Sequence, residues 1–230
     1  MVSGAAWIDR QREGGMLTRR RDVRRYYRHL RAICTQHHTE VMSFISQAAF
    51  LEQAKRLRLT TEGAFITNST EALTLVCDLA TYAAKPGRSR AIDRYARSTH
   101  LPHESDEMRV LEAMCRAQFS IWRIEHRHHI YGLAATDLLR QNEIWLIDEA
   151  MTASVRDGVR FAGRLFHLEQ FTITNGVAVP VVGALMEQAI ADALARGSKD
   201  PNHTSETTNF AVDIYRAALN DGAIDRVLFR

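Results

Sequence analysis

The segment 125–129, which reads EHRHH, holds the densest group of side chains able to bind a metal. Imidazoles and carboxylates bind divalent ions, and a bound ion can activate water for hydrolysis. Alternate side chains of a strand share a face, so His126 and His128 lie on one face and Glu125 and His129 on the other. At most two histidines therefore converge locally, and the metal hypothesis requires another ligand.

A third ligand must come from another part of the chain. The acidic candidates that follow in sequence are Asp137, Asp148 and Glu149. Asp148 and Glu149 are neighbours, so on a strand they point to opposite faces and do not form an acid/base pair by themselves. The alternative is a polar strand end and hairpin with exposed imidazoles. The segment lacks the fixed H-E-x-x-H helix spacing of zinc enzymes, which favours this alternative.

A second group of potential ligands is Cys34-Thr35-Gln36-His37-His38. On one continuous helix, the two histidines lie three and four residues after Cys34, where they can bind a metal with the thiol or lower its pKa. The alternative is a core cysteine followed by two histidines at the break between the first two helices. No second ligand pair follows at zinc spacing, which favours the alternative.

Motifs of common catalytic sites are missing from the chain. It has no G-x-S-x-G nucleophile elbow, no G-x-x-x-x-G-K-[ST] phosphate loop and no G-x-G-x-x-G dinucleotide fingerprint. It also lacks the alternation of strands and helices that nucleotide-binding sheets need. The sequence favours a protein that is not an enzyme and has no cofactor. The alternative is a metal-assisted hydrolase centred on Glu125, His126 and His128, with an acid from Asp137 or Asp148.

The clearest pattern in the sequence is an amphipathic helix that begins near Thr18. Its apolar side repeats every 3.6 residues and comprises Val23, Tyr26, Tyr27, Leu30, Ile33 and Cys34. The opposite side carries Arg20, Arg21, Arg24, Arg25, Arg28 and Arg31. Such a helix packs its apolar side on a core and presents guanidinium groups, which bind phosphate well.

The positive charge of the chain is local to this helix and the residues before it. Nine arginines lie between Arg10 and Arg31 with only Glu13 and Asp22, which gives +7, whereas the whole chain carries +3. The remainder is therefore net acidic. The arginine side predicts contact with nucleic acid or with an acidic protein partner. The alternative is a solvated face whose charges pair with acidic groups of the fold or of a partner subunit.

The period of the sequence changes after Gln118, where β-branched and aromatic residues become frequent. The predicted strands cover residues 119–126, 130–136, 143–148, 158–167 and 170–180. We expect an Asn175-Gly176 turn to interrupt the last strand and Pro180 to end it. A strand spacing of roughly ten residues predicts a small antiparallel sheet or a five-stranded barrel.

These elements together predict an α+β protein with helical parts on both sides of the β region. The expected organisation is a flexible tail at 1–17, an α-helical subdomain at 18–118, a β module at 119–182, and C-terminal helices that pack on it at 183–230. The shift to regular periodicity near Thr18 also makes Met16 a candidate for the true start of the protein, in place of Met1.

Composition places the chain among globular proteins, since 46% of its residues are hydrophobic and 25% are charged. No apolar run reaches the roughly 18 residues that a membrane span needs, and the N-terminus lacks the apolar core of a signal peptide. Three widely spaced cysteines indicate free thiols in a reducing compartment. We therefore expect a cytoplasmic protein without a membrane partner, whose oligomeric state stays open.

The stretch GLAATDLLRQNEIWLIDEAMTASVRDGVRFAGRLF, residues 132–166, resembles a module of uncharacterised bacterial proteins. In that module a glycine-led strand runs into Asp-Leu-Leu, a polar turn and a strand, and a glycine precedes the next strand. Some proteins with a similar module carry a C-terminal zinc motif of the SEC-C type. This chain has no cysteine after Cys115, so the zinc site does not transfer. The resemblance implies a bacterial small-barrel fold and no particular catalytic residue.

Overall fold

The computed structural model describes residues 17–67, 69–84, 87–196, 208–220 and 222. Its helices, in chain order, are α1 (Arg20–Val41), α2 (Gln47–Arg56), α3 (Thr70–Tyr82), α4 (Ala91–Ser98), α5 (Asp106–Cys115), α6 (Glu149–Ser154), α7 (Ala184–Arg196) and α8 (Thr208–Asn220). A 3₁₀ turn at Met42–Phe44 follows α1. Between α2 and α3, two short antiparallel strands pair, β1 (Thr60–Thr61) and β2 (Ala64–Phe65).

Five longer strands form the centre of the molecule. They are β3 (Gln118–Arg127), β4 (Leu133–Asp137), β5 (Asn142–Ile147), β6 (Arg160–His167) and β7 (Thr172–Pro180). The strands pair in the order β3-β4-β5-β7-β6, and because β6 also pairs with β3, the sheet closes as a barrel. The predicted α+β fold with a central five-stranded unit and helices on both sides of it in sequence is confirmed.

Two layers of helices cover the outside of the barrel. On one side, Leu30 of α1 belongs to the same apolar cluster as Phe166 and Ile173 of the barrel. On another side, helices α2, α3, α7 and α8 share a cluster with Phe119 and Val179. Each cluster therefore joins helices to strands, and the hydrophobic core crosses the predicted boundaries of the β module.

The sequence left open a small antiparallel sheet or a five-stranded barrel. The barrel is present, and the antiparallel alternative is wrong for one pair of strands, because β5 and β7 run parallel. Their pairing joins Leu146 to Thr172 and Ile147 to Ile173. In sequence, α6 and β6 lie between these two strands. The chain therefore crosses over before it returns in the same direction, as a parallel pair requires.

The predicted interruption at Asn175-Gly176 is also wrong, because β7 continues through both residues. Instead, the register between β6 and β7 shifts between Gly163 and Leu165, opposite this pair. Gly176 has φ +97°, which glycine adopts readily, and Asn175 Oδ1 accepts a hydrogen bond from Val177 N at 2.8 Å. The Asn-Gly pair thus forms a bulge in a continuous strand rather than a hairpin turn.

Helix α6 lies between β5 and β6, where the sequence pattern predicts no helix. Asp148 is its N-cap, and the Asp148 side chain accepts a hydrogen bond from Met151 N at 3.0 Å. Glu149 follows in the first turn, where a carboxylate interacts favourably with the helix dipole. The cap therefore fixes the position of Glu149 beside α1.

The N-terminal tail predicted at 1–17 lies outside the described residues except for Leu17. Leu17 is only 2% exposed, and its backbone N–H donates to Gln170 Oε1 at 2.9 Å. This last residue of the predicted tail is therefore part of the folded structure. Within the described ranges, none of the helices combines the length and the apolar character needed to cross a bilayer.

Candidate functional site

Five arginines of α1 line one shallow groove at the surface. This arginine surface consists of Arg20, Arg21, Arg24, Arg25 and Arg28, and the groove encloses ≈ 570 Å³. Helical spacing places the five side chains opposite the buried side of α1. The side chains of Arg24, Arg25 and Arg28 are 49%, 50% and 56% exposed even though each pairs with a carboxylate.

Glu149, at the start of α6, binds two members of the arginine surface. Its Oε1 accepts hydrogen bonds from Arg24 Nε at 2.6 Å and from Arg28 Nε at 3.0 Å. The Tyr131 hydroxyl donates to the same oxygen at 3.2 Å, and Arg20 lies over the Tyr131 ring at 5.5 Å. Burial raises the pKa of Glu149, but the bonds from Arg24 and Arg28 outweigh burial and lower this pKa overall. Glu149 is therefore ionised at neutral pH.

The remaining members of the arginine surface differ in whether they pair with an acidic residue. Arg25 pairs with Asp22 on its own helix at 3.0 Å. Arg21 makes no hydrogen bond or ion pair with any residue that the structure describes. The interpretation that the arginines pair with acids of the fold thus holds for Arg24, Arg25 and Arg28 but not for Arg21.

Arg31, the sixth predicted arginine, turns away from this surface toward β7. Its Nη1 donates to the Thr174 carbonyl oxygen at 2.7 Å. The guanidinium lies over Gly176, where an added Cβ would come within 2.7 Å of Nη2. The missing side chain at Gly176 therefore makes room for Arg31, and Arg31 fastens α1 to the barrel.

A cleft of ≈ 960 Å³ adjoins the arginine surface between α1, α6 and the barrel. Its charged lining residues are Arg28, Arg31, Asp148, Glu149 and Arg156. Its apolar lining includes Met151, Val155, Phe161, Ala178 and Val182. A volume of this size is at the upper end of the range for small-molecule sites, and a mostly apolar lining with a few charged groups is typical of them.

The structure does not bring the predicted metal ligands together. His126 is exposed on β3, and the His128 ring stacks on Trp145 with a centroid distance of 4.2 Å. Glu125 accepts a hydrogen bond from the Thr136 hydroxyl at 2.6 Å. Among the described residues, no three His, Cys, Asp or Glu side chains form a group that could hold a metal ion.

Asp137 and Asp148, two of the three acidic candidates for a metal ligand, also have partners within the fold. Asp137 is completely buried and accepts hydrogen bonds from the Ser120 hydroxyl at 2.6 Å and from Arg140 N at 3.0 Å. Besides capping α6, Asp148 accepts a hydrogen bond from the Thr174 hydroxyl at 3.0 Å. These contacts make both carboxylates parts of the scaffold, so the hydrolase alternative has no assembled site in the part of the chain that the structure describes.

Cys34, His37 and His38 all lie inside α1, so the predicted helix break at the histidines is wrong. Cys34 is 1% exposed, and burial raises the pKa of its thiol to about 11, which disfavours a metal-binding thiolate. His37 hydrogen-bonds to the Tyr95 hydroxyl at 2.7 Å and His38 to the Tyr82 hydroxyl at 3.0 Å. The cysteine is a core residue, as the sequence predicts, and the histidines are hydrogen-bonded polar groups of the helix packing.

Fold and site together define an α+β protein in which helices cover a small closed mixed barrel and an arginine-bearing helix borders a cleft. Residues 21–223 match the family of unknown function DUF7986, and the chain belongs to that family. The matched region contains all the described helices and strands except the first residue of α1. The family match shows no link to proteins with a SEC-C motif. Neither a curated protein nor a solved structure matches the chain.

Proposed function

We propose that the protein is a non-catalytic binding protein that contacts the phosphate backbone of nucleic acid through the arginine surface of α1. The observation that carries the proposal is a groove whose lining, among the described residues, consists of five arginines. A guanidinium group matches phosphate oxygens with paired N–H donors, and phosphate contacts dominate the affinity of proteins for nucleic acid. The excess positive charge of this part of the chain, within a protein that is acidic elsewhere, also supports the proposal.

The spacing of the arginines suits a row of phosphate groups. Arg20, Arg24 and Arg28 follow one another four residues apart, and a rise of about 1.5 Å per residue turns this into steps of about 6 Å. Arg21 and Arg25 form a parallel row beside them. Since the described lining of the groove consists only of arginines, we expect contacts to the backbone and little base preference.

An acidic protein is the competing partner class, because carboxylates also pair with guanidinium groups. Glu149 shows such pairing within the chain, where one carboxylate occupies both Arg24 and Arg28. Nucleic acid is favoured because its charges repeat at regular intervals along a line, as the arginines do along α1, whereas carboxylates on a folded partner follow no such repeat.

The proposal predicts that Arg20→Ala, Arg24→Ala and Arg28→Ala together weaken DNA binding at least about tenfold at low salt. The measurement is fluorescence anisotropy of a labelled DNA duplex of about 20 base pairs, repeated between roughly 50 and 200 mM salt. Each lost phosphate contact removes about 0.9 from the slope of log K against log salt. The slope of the triple variant is therefore expected to be smaller by about 3.

A triple variant with the same charge loss elsewhere is the matched control. Arg88, Arg97 and Arg116 are exposed and lie outside the arginine surface, so their replacement by alanine should leave the slope nearly unchanged. Equal effects of the two triple variants would show a general charge effect and overturn the assignment to α1. Failure of the wild-type protein to bind DNA at low salt, together with binding of polyglutamate, would reassign the surface to acidic proteins.

Glu149→Gln is predicted to tighten DNA binding about fivefold at low salt, because it releases Arg24 and Arg28 from an internal carboxylate. The same anisotropy assay measures the change. Glu187→Gln removes an equal charge from an ion pair with Arg160 on the barrel and serves as the control. Unchanged binding in the Glu149 variant, or equal tightening in both variants, would show that Glu149 does not compete with DNA for the arginine surface.

A further inference from the structure

We propose that the cleft between α1, α6 and β7 binds a small organic anion with an extended apolar body, such as a medium-chain carboxylate. This inference is separate from nucleic-acid binding. It rests on Arg156 and on the apolar residues that line the cleft, which form its wall. Nucleic-acid binding rests instead on the arginine surface.

The charges of the cleft leave a positive excess for a ligand. Both carboxylates are already engaged: Asp148 accepts from Met151 N and the Thr174 hydroxyl, and Glu149 pairs with arginines of α1. Arg156 is exposed and makes no hydrogen bond or ion pair with the described residues. An anion in the cleft can therefore bind the Arg156 guanidinium without competition from those residues. A cation has no such partner there, because both carboxylates already form hydrogen bonds or ion pairs.

The apolar wall of the cleft combines buried residues of strands and a helix with more exposed valines. Phe161 and Ala178 come from the paired strands β6 and β7, and Met151 comes from α6. Val182, just beyond the end of β7, is 36% exposed at the same cleft. Apolar surface gathered in a concave site indicates a partner that covers it.

The two features together specify the chemical class of the ligand. An anionic head group on Arg156 satisfies the free guanidinium. An apolar chain along Val155, Val159 and Val182, which are half-buried or exposed, removes the accessible part of the wall from water. A head group alone leaves the wall uncovered. A volume of ≈ 960 Å³ leaves ample room for an extended chain in addition to the head group.

The test compares three probes by isothermal titration calorimetry on the full chain. Decanoate carries both the charge and the chain, acetate carries the charge alone, and decyltrimethylammonium carries a similar chain with the opposite charge. We expect decanoate to bind at one site per chain and the other two to bind at least about tenfold more weakly. Equal binding of decanoate and decyltrimethylammonium would overturn the selection for an anion, and equal binding of decanoate and acetate would overturn the role of the wall.

Two variants locate the site, and a third separates it from the arginine surface. Arg156→Ala removes the free guanidinium and is expected to weaken decanoate binding about tenfold. Val182→Glu places a negative charge, which repels decanoate, at the cleft. Val182 is exposed enough to tolerate the substitution, and we expect a similar loss of decanoate binding. Arg21→Ala, outside the cleft, should leave decanoate binding unchanged.

The outcomes distinguish the two proposals. Loss of decanoate binding in the Arg156 and Val182 variants, with binding intact in the Arg21 variant, supports the cleft regardless of what the DNA assay shows. Unchanged binding in both cleft variants, or several decanoate molecules bound per chain, would overturn the cleft as the site. Circular dichroism of each variant checks that the fold is retained.

Discussion

Replacing Asp78 by asparagine is expected to lower the free energy of unfolding by about 3–5 kcal/mol. Asp78 lies on α3, and its side chain is 0% exposed. Arg164 of β6 donates its Nε to both carboxylate oxygens of Asp78 at 3.0 Å. The substitution keeps the size of the side chain but removes its charge. Arg164, whose side chain is only 8% exposed, is then left as a buried cation without a counter-charge.

Asp78 also joins elements that are distant in sequence. The Tyr215 hydroxyl of α8 donates to its Oδ2 at 3.0 Å, and Asn175 Nδ2 of β7 donates to its Oδ1 at 2.5 Å. The Arg164 guanidinium lies 4.9 Å from the centroid of the Tyr82 ring. Burial raises the pKa of Asp78 overall, although Arg164 and these donors favour its ionised form. One carboxylate thus holds α3, α8 and two strands of the barrel together.

Chemical denaturation with urea, followed by circular dichroism, measures the loss of stability in the Asp78 variant. Glu112→Gln is the matched control, because it removes the charge from the Glu112–Arg116 pair, whose side chains are 53% and 71% exposed. An exposed pair of this kind contributes less than about 1 kcal/mol. Similar losses in the two variants would contradict a stabilising role for the buried pair.

Local periodicity was enough to predict much of the fold. Val23, Tyr27 and Leu30 repeat at helical spacing and are all buried on α1, as the sequence predicts. The five strands follow from β-branched and aromatic residues between turn signals. Both patterns are properties of neighbouring residues, because the side of a helix or strand that faces the core is set by its own period.

Long-range pairing could not be predicted in the same way. Glu149 lies 125 positions after Arg24, and Arg164 lies 86 positions after Asp78. The arginine pattern of α1 indicates that acidic groups are needed nearby, but it carries no information about which acids the fold brings there. Likewise, nothing local marks Asp78 as a carboxylate that is buried against an arginine of a strand.

One signal for the site was present in the sequence and was misinterpreted. Asp148 followed by Glu149 is a helix start, with an N-cap carboxylate and an acid in the first turn. Interpreted as the end of a strand, the pair seemed to point to opposite faces. As the start of α6, it places Asp148 in the cap and Glu149 against Arg24 and Arg28.

Acidification from pH 7 to about pH 4 is expected to lower stability by up to about 3 kcal/mol through His38 alone. Burial, followed by the charges of Arg31 and His37, lowers the pKa of His38 to about 4. The His38 ring packs 6.2 Å from the Tyr82 ring and 6.0 Å from the Phe166 ring, centroid to centroid. His38 Nε2 also forms a hydrogen bond with the Tyr82 hydroxyl at 3.0 Å.

Stability falls with acidification because the unfolded state binds a proton at His38 at a higher pH than the folded state does. In the unfolded chain His38 titrates near its ordinary pKa of about 6.5, whereas the folded protein binds the same proton only near pH 4. Between these values the unfolded state is the more protonated one, so stability falls as the pH falls. Burial also lowers the pKa values of His128 and His167, and both act in the same direction. The contribution of His38 therefore has to be isolated by substitution.

His38→Gln isolates this contribution, because the amide can still form a hydrogen bond with the Tyr82 hydroxyl but does not titrate. Urea denaturation of the wild type and the variant at pH 7 and near pH 4 gives the two pH dependences. We expect the wild type to lose up to about 3 kcal/mol more than the variant over this range. His100→Gln, at an exposed position, should behave like the wild type. If His38→Gln retained the full acid sensitivity, the half-buried imidazole of His38 would not be its source, and the loss would have to come from other titrating groups of the fold.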